Sequence, residues 1–297
     1  MSCCGAAAIA FAGSKLDRAD HIRSDPERLE ALKSPQARLL ALDGLIPALD
    51  EGNRLRWGGL ADADADAELV FLGMMGGFGC FAAVPGEGSA DPAFAQRETW
   101  RAIAAMSDAD MAIYGGARSL VDWHARHRFC AQCGAPTVLA KGGWQRNCVA
   151  ETCAAQHFPR VDPVAIMLVE HGGKLLLGRQ SRFPPRSFSA LAGFVEPGES
   201  IEEGVAREVL EEAGIAVRGV SYIFSQPWPF PSQLMIGCHA HTDSAALTID
   251  ETEIEEARWF TREEVDEAVR MGRESGSFVP PPEQAIAHQM LKWWLER

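Results

Sequence analysis

Glu208, Glu211 and Glu212 stand at i, i+3 and i+4 of a segment that reads as a helix, so their carboxylates converge on one face. Like charges at this spacing weaken a bare helix and raise one another's pKa. A hard divalent cation is their natural occupant, as when Mg²⁺ is held by carboxylates beside substrate phosphates. Taken alone, the three glutamates also fit a solvated acidic face, with Arg207 paired to Glu211. A second set of chemical residues is Cys130-Ala-Gln-Cys133 and Cys148-Val-Ala-Glu-Thr-Cys153, the layout of two zinc knuckles whose four thiolates close a structural tetrahedron. His124, His127 and His157 lie near enough in sequence to compete as ligands. Cys80 and Cys238 sit in apolar runs and read as small buried hydrophobes; Cys3 and Cys4 are assigned no role.

The elements that must position these groups follow from turn and capping signals. Pro197-Gly198 breaks the chain, Ser200 with Glu203 forms a capping box, and Gly214 supplies the stop, so a helix is expected from about Ile201 to Ala213. Ile201, Val205 and Val209 form its buried stripe. Upstream, Val164 to Val169, Gly172-Gly173 and Lys174 to Leu177 read as a buried hairpin that starts a new sheet near Arg160. Short strands are expected at Leu39 to Leu42, Ile46 to Leu49, Arg54 to Trp57, Leu69 to Leu72 and Phe78 to Val84. A long helix should open at Ser107 and Asp110 and bury Ile113, Leu120 and Trp123. Asp62, Asp64 and Asp66 alternate as in a calcium loop, but without its turn Gly or bidentate Glu, and read as a solvated loop. The expected domains are residues 1–127, 128–159 and 160–297.

Downstream, Ser225-Gln226-Pro227-Trp228-Pro229-Phe230-Pro231-Ser232-Gln233 is a stiff strip in which prolines fix two aromatics. It suits a grip on a flat heteroaromatic ring, and equally a stiff packed loop. Glu283 to Leu295, with Ile286, Met290, Leu291, Trp293 and Trp294, reads as an amphipathic helix. The 297 residues carry 41 Asp and Glu against 28 Lys and Arg, a formal charge of -13, which argues against general binding of nucleic acid or anionic membranes. No apolar stretch approaches the roughly 20 residues of a membrane span. Met1-Ser2-Cys3-Cys4-Gly5 carries no export signal, so a soluble, cytoplasmic chain with reduced cysteines is expected.

The carboxylate segment resembles the Nudix hydrolase box, G-x5-E-x7-R-E-U-x-E-E-x-G-U with U aliphatic. Gly193, Glu199, Arg207, Glu208, Val209, Glu211, Glu212, Gly214 and Ile215 fill every specified place. The resemblance implies an α/β/α sandwich around a mixed sheet, preceded here by a zinc ribbon and a mixed α+β N-terminal domain. It also implies Mg²⁺ or Mn²⁺ held by Glu208, Glu212, the Ala192 carbonyl and a downstream acid, for which Glu256 fits, with Glu211 as further ligand or base and Arg207 in the same machinery. The strip resembles S-Q-P-W-P-F-P-x-S of the NADH pyrophosphatase branch, which also carries the ribbon. Here Gln233 replaces the final Ser, and the second cysteine pair is wider than the branch often has. That likeness implies cleavage of NADH or NAD⁺ to AMP and nicotinamide mononucleotide. Residues Gln226 to Gln233, Phe158 and Ala287 would contact substrate, in a homodimer. Alternatives are removal of NAD caps from RNA, hydrolysis of ADP-ribose or a related dinucleotide, and a non-catalytic zinc-ribbon sensor.

Overall fold

Short apolar runs separated by Gly, Asp and Asn build the first part of the chain. The computed structural model describes residues 9–88 and 96–297; Cys3 and Cys4 fall outside them. The chain divides into two compact units. One comprises residues 11–161 with 228–232, and the other residues 1–10, 162–227 and 233–297.

In the first unit, α1 (Asp20–Arg23) and α2 (Pro26–Ala31) precede β1 (Arg38–Leu40), β2 (Leu42–Asp43), β3 (Ile46–Pro47), β4 (Trp57–Gly58), β5 (Leu69–Met75) and β6 (Phe78–Ala83). Four of these form a sheet in the order β4-β1-β6-β5. The strands before residue 60 are shorter than the expected runs, and side chains close the turns between them. Asp50 Oδ1 accepts from the N–H groups of Gly52 and Arg54 at 2.8 and 2.9 Å, which closes the turn between the runs expected at Ile46 to Leu49 and Arg54 to Trp57. Asp62 likewise accepts from Gly59 N–H at 2.9 Å, as befits a solvated turn. After α3 (Arg97–Ala105), α4 (Asp108–Arg126) starts at Ser107, whose hydroxyl accepts from Asp110 N–H at 3.3 Å. Tyr114, Leu120 and Trp123 of α4 are buried. The chain then enters β7 (Thr137–Ala140), β8 (Gln145–Cys148) and β9 (Gln156–His157), a small antiparallel sheet that carries the cysteines.

The second unit is built around β10 (Asp162–His171), whose apolar run lies in the middle of a mixed sheet. β11 (Lys174–Arg179) and β12 (Leu191–Phe194) pair antiparallel to β10. α5 (Ile201–Ala213) follows, then β13 (Arg218–Trp228), β14 (Gln233–His241), β15 (Glu256–Phe260), α6 (Arg262–Met271) and α7 (Ile286–Leu295). The strand order is β13-β14-β10-β11-β15, with β14 parallel to β10. Alternation along β10 serves two cores. Ala165, Met167 and Val169 pack with Val205, Val209 and Ala213 of α5, whereas Ile166 and Leu168 pack with Val265 of α6 and Met290 and Trp294 of α7. The result is an α/β/α sandwich. Among the described residues no helix is long and apolar enough to cross a membrane.

Candidate active site

The carboxylates are presented by α5, which runs as its sequence signals require. Ser200 Oγ accepts from Glu203 N–H at 3.2 Å, and Glu203 Oε2 in turn accepts from Ser200 N–H at 2.7 Å. Gly214 ends the helix in the left-handed region at φ 70°, a conformation most side chains avoid. Arg207 is the organiser. It donates to Glu199 through Nε and Nη2 at 2.6 and 3.0 Å, to Glu208 at 2.9 Å, to Glu211 at 3.0 Å and to the Phe194 carbonyl at 2.9 Å. That fork ties the loop after β12 to the helix. These hydrogen bonds hold the Glu199 carboxyl down at about 2 and raise the Arg207 pKa.

Glu212 is the opposite case. It is buried, its Oε2 has no hydrogen-bond partner, and burial, with the charges of Glu208, Glu253 and Glu211, pushes its pKa up to about 8. Burial also raises Glu208, against the pull of Arg207. An orphaned buried carboxylate beside like charges needs a cation or a proton, so the all-oxygen donor set fits a hard divalent ion. Gly193 completes the cradle. A Cβ there would lie 1.8 Å from Glu208 Cδ and 2.0 to 2.1 Å from its oxygens. Ala192, the next residue on β12, pairs with Ile166.

The downstream acid is not where the sequence reading put it. Ala257 and Trp259 belong to the core under α5, whereas Phe260 packs in the core under α6 and α7 with the Arg258 guanidinium 4.0 Å from its ring. Alternation along β15 therefore turns Glu256 away from α5, and it lines a hollow with Arg179, Arg186 and Arg258. The acid whose charge acts on both Glu208 and Glu212 is Glu253, in the loop before β15. The apolar pair Ala257 and Trp259 was the signal that could have excluded Glu256.

The four cysteines close as expected. One sulfur from each lies within 4.8 Å of the others, with Cys130 to Cys153 at 3.8 Å and Cys133 to Cys148 at 3.4 Å. A tetrahedron with Zn–S bonds of about 2.3 Å separates its sulfurs by about 3.8 Å, so the set fits zinc despite the wider second pair. The histidines do not compete. His124 is hydrogen-bonded to Gly143 O at 2.7 Å and to Arg146 at 2.9 Å, and His127 to Trp123 O at 2.7 Å. His157 Nε2 lies 3.2 Å from Cys130 Sγ, as a hydrogen-bond partner to that sulfur.

Comparison with known proteins agrees with this geometry. Residues 159–280 match the model of the NUDIX domain, residues 125–158 that of the NADH pyrophosphatase zinc ribbon domain, and residues 32–123 that of an NADH pyrophosphatase-like rudimentary NUDIX domain. NAD-capped RNA hydrolase NudC of Mycobacterium bovis is 40% identical over 291 residues, which cover 94% of this chain and 92% of that one. The chain belongs to the Nudix hydrolases, in their NADH pyrophosphatase branch. Human NAD-capped RNA hydrolase NUDT12 is 48% identical over 202 residues, 65% of this chain but 44% of the human one. Nudix hydrolase 19, chloroplastic, of Arabidopsis thaliana is 39% identical over 229 residues, 63% of this chain and 52% of that protein. The chain thus spans about half the length of these two relatives.

Within this Nudix hydrolase the Pro-rich strip is mostly packed. Trp228 and Phe230 belong to the first unit, where Phe230 stacks on Trp100 at 5.0 Å and lies 4.6 Å from the Arg118 guanidinium. Arg118 donates to Pro229 O at 2.6 Å and Ser119 to Pro231 O at 3.1 Å. Pro229, Phe230 and Ser232 are buried, Pro227 and Pro231 exposed, and Trp228 and Gln233 half-buried. The side chain of Gln226 is consumed internally: its amide donates to Gln284 O at 2.8 Å and its oxygen accepts from Ile286 N–H at 2.8 Å, at the start of α7. It was expected to bond substrate; with no solvent exposure, it instead clamps α7. The methyl group of Ala287 is likewise enclosed in the core beneath α7. Phe158 is 58% exposed and free to stack.

Proposed function

We propose that this chain hydrolyses the pyrophosphate bond of NADH or NAD⁺, releasing AMP and the corresponding nicotinamide mononucleotide, with Mg²⁺ or Mn²⁺. The observation that carries the reading is the buried Glu212 carboxylate, orphaned among Glu208, Glu211 and Glu253. Glu208, Glu212 and Glu253 would hold the cation, with the Ala192 carbonyl as a further ligand; Glu256 has no part in it. Bound there, the ion would neutralise the pyrophosphate oxygens and lower the barrier to attack by water. The chain's own residues supply the remainder. Arg207 fixes Glu208 and Glu211 in place, and exposed Glu211 is positioned to take the proton as water adds to phosphorus and the anhydride oxygen leaves. Phe158, 58% exposed, presents a ring on which a base can stack. Zinc on Cys130, Cys133, Cys148 and Cys153 would be structural, because four thiolates leave no open position.

The relatives named NAD-capped RNA hydrolase support a second substrate, an RNA ending in the same dinucleotide. The full set of box carboxylates supports catalysis over a sensor role. The test is product analysis of NADH incubated with the protein and Mg²⁺ or Mn²⁺: AMP and reduced nicotinamide mononucleotide should appear in equal amounts. Glu212→Gln should lower turnover by more than about 100-fold, beyond the 10–100-fold typical of losing an outer partner of a metal ligand, with an unchanged circular dichroism spectrum. Near-normal turnover in that variant would refute the assignment.

A further inference from the structure

The face of the second unit's sheet that turns away from α5 carries a polar cluster at the ends of two strands. β10 and β14 run parallel, with Leu168 opposite His239 and Glu170 opposite His241. The two-residue period therefore brings Glu170, His239 and His241 to the same face as Leu168. One ligand atom from each of the three lies within 4.8 Å of the others. His239 Nε2 is 3.0 Å from Glu170 Oε2, and the His239 and His241 rings are 4.6 Å apart at 78°. The indole N–H of Trp294, on α7, donates to the same Glu170 oxygen at 2.9 Å. None of these groups contributes to the carboxylate cluster on α5 or to the cysteine set.

We propose that Glu170, His239 and His241 form a second protein-bound transition-metal site, selective for Zn²⁺-class ions over Mg²⁺. Two imidazoles and one carboxylate are borderline-soft ligands that suit Zn²⁺ or Co²⁺, whereas Mg²⁺ prefers oxygen alone. Metal–ligand bonds of about 2.0–2.2 Å in a tetrahedron place ligand atoms about 3.3 Å apart. The Glu170 to His239 contact at 3.0 Å needs to open by only a few tenths of an ångström. Trp294 then acts as the outer partner that aims the carboxylate, a role that commonly accompanies metal ligands. Glu170 and His241 are half-buried, which gives the ion a path in and leaves a position for water. Three protein ligands with an open place distinguish this site from the closed cysteine tetrahedron. The bound ion would fasten β10 to β14 and, through Trp294, to α7.

The experiment uses the full chain without a polyhistidine tag, stripped of metal and titrated with Co²⁺ in millimolar Mg²⁺, so that the all-oxygen site is filled. Two equivalents should bind. One gives the near-ultraviolet charge-transfer bands of cobalt–thiolate bonds, and the other gives visible bands without them. His241→Ala, at a half-buried position, should remove the second equivalent, keep the first, and lower bound zinc from two to one per chain, with Mg²⁺-supported hydrolysis unchanged. Glu170→Gln should weaken the second equivalent by 10-fold or more and serves if His239 variants fail to fold. Binding of a single thiolate-type equivalent by the wild type, or retention of both by His241→Ala, would overturn the proposal.

Discussion

Gly193 has no side chain because none fits: any Cβ would occupy the space of the Glu208 carboxylate. Gly193→Ala should therefore displace Glu208 and lower kcat by about 100-fold or more, the scale at which a misplacement of about 1 Å acts, while thermal unfolding stays close to wild type. Steady-state kinetics beside a melting curve would check both. Glu253 and Glu256 make a paired test. Glu253→Gln should cost at least tenfold in kcat/KM, whereas Glu256→Gln, on the far face of the sheet, should stay within about threefold, as surface substitutions usually do. Equal losses would mean that the charge of Glu253 is not what Glu208 and Glu212 feel. At this scale the box was legible because it is one continuous run on a single helix whose spacing fixes its geometry. Glu253 was not legible, because its position depends on which face β15 turns to α5, and that is decided by a pairing with β11 far away in sequence. The internal bonds of Gln226 are illegible for a similar reason: its partners, Gln284 and Ile286, are about 60 residues downstream.

Among the elements, the joint between α4 and the cysteine-bearing sheet rests on a buried charge. Arg146 is 2% exposed and donates to both Glu68 oxygens at 2.8 and 3.0 Å, to Thr137 Oγ1 at 2.7 Å and O at 2.9 Å, and to His124 Nδ1 at 2.9 Å. His124 is thus the tautomer with its proton on Nε2, donated to Gly143 O. Burial and the neighbouring Arg146 charge outweigh the Gly143 bond and depress its pKa to about 4 from 6.5. A group depressed in the folded state stabilises fully above its unfolded pKa and loses that contribution as pH falls toward the folded one. Stability should therefore fall between about pH 6.5 and 4, by up to on the order of 3 kcal/mol from this group. Urea unfolding at pH 7 and pH 5, for wild type and His124→Gln, would measure it: the wild type should lose more than the variant. The helices and their caps were readable from the sequence since Ser107, Ser200 and Gly214 act on near neighbours. The early strands are shorter than their apolar runs, and Asp50 closes the turn between two of those runs.

For the whole molecule, the charge of -13 bears on how the proposed RNA substrate would be engaged. With few cations to spare for phosphates, capture through the terminal dinucleotide should dominate. The kcat/KM for NAD-capped RNA, relative to that for NADH, should then drop by less than about tenfold between about 50 and 200 mM salt, against the 10³–10⁵-fold loss in affinity of a protein that makes 6–10 phosphate contacts. A steep salt dependence would instead reveal a basic track along the chain of the RNA. The assignment of residues 228–232 to the first unit has a consequence for inheritance. These five residues lie within the sequence span of the catalytic half, yet Pro229, Phe230 and Ser232 are buried in the other unit, with Phe230 against Phe11, Trp100 and Arg118. A shuffling event that exchanged the catalytic half at residue 160 would import rings cut for a different socket. A graft of residues 160–297 from another protein should fold well only if its own strip matches Phe11, Trp100 and Arg118.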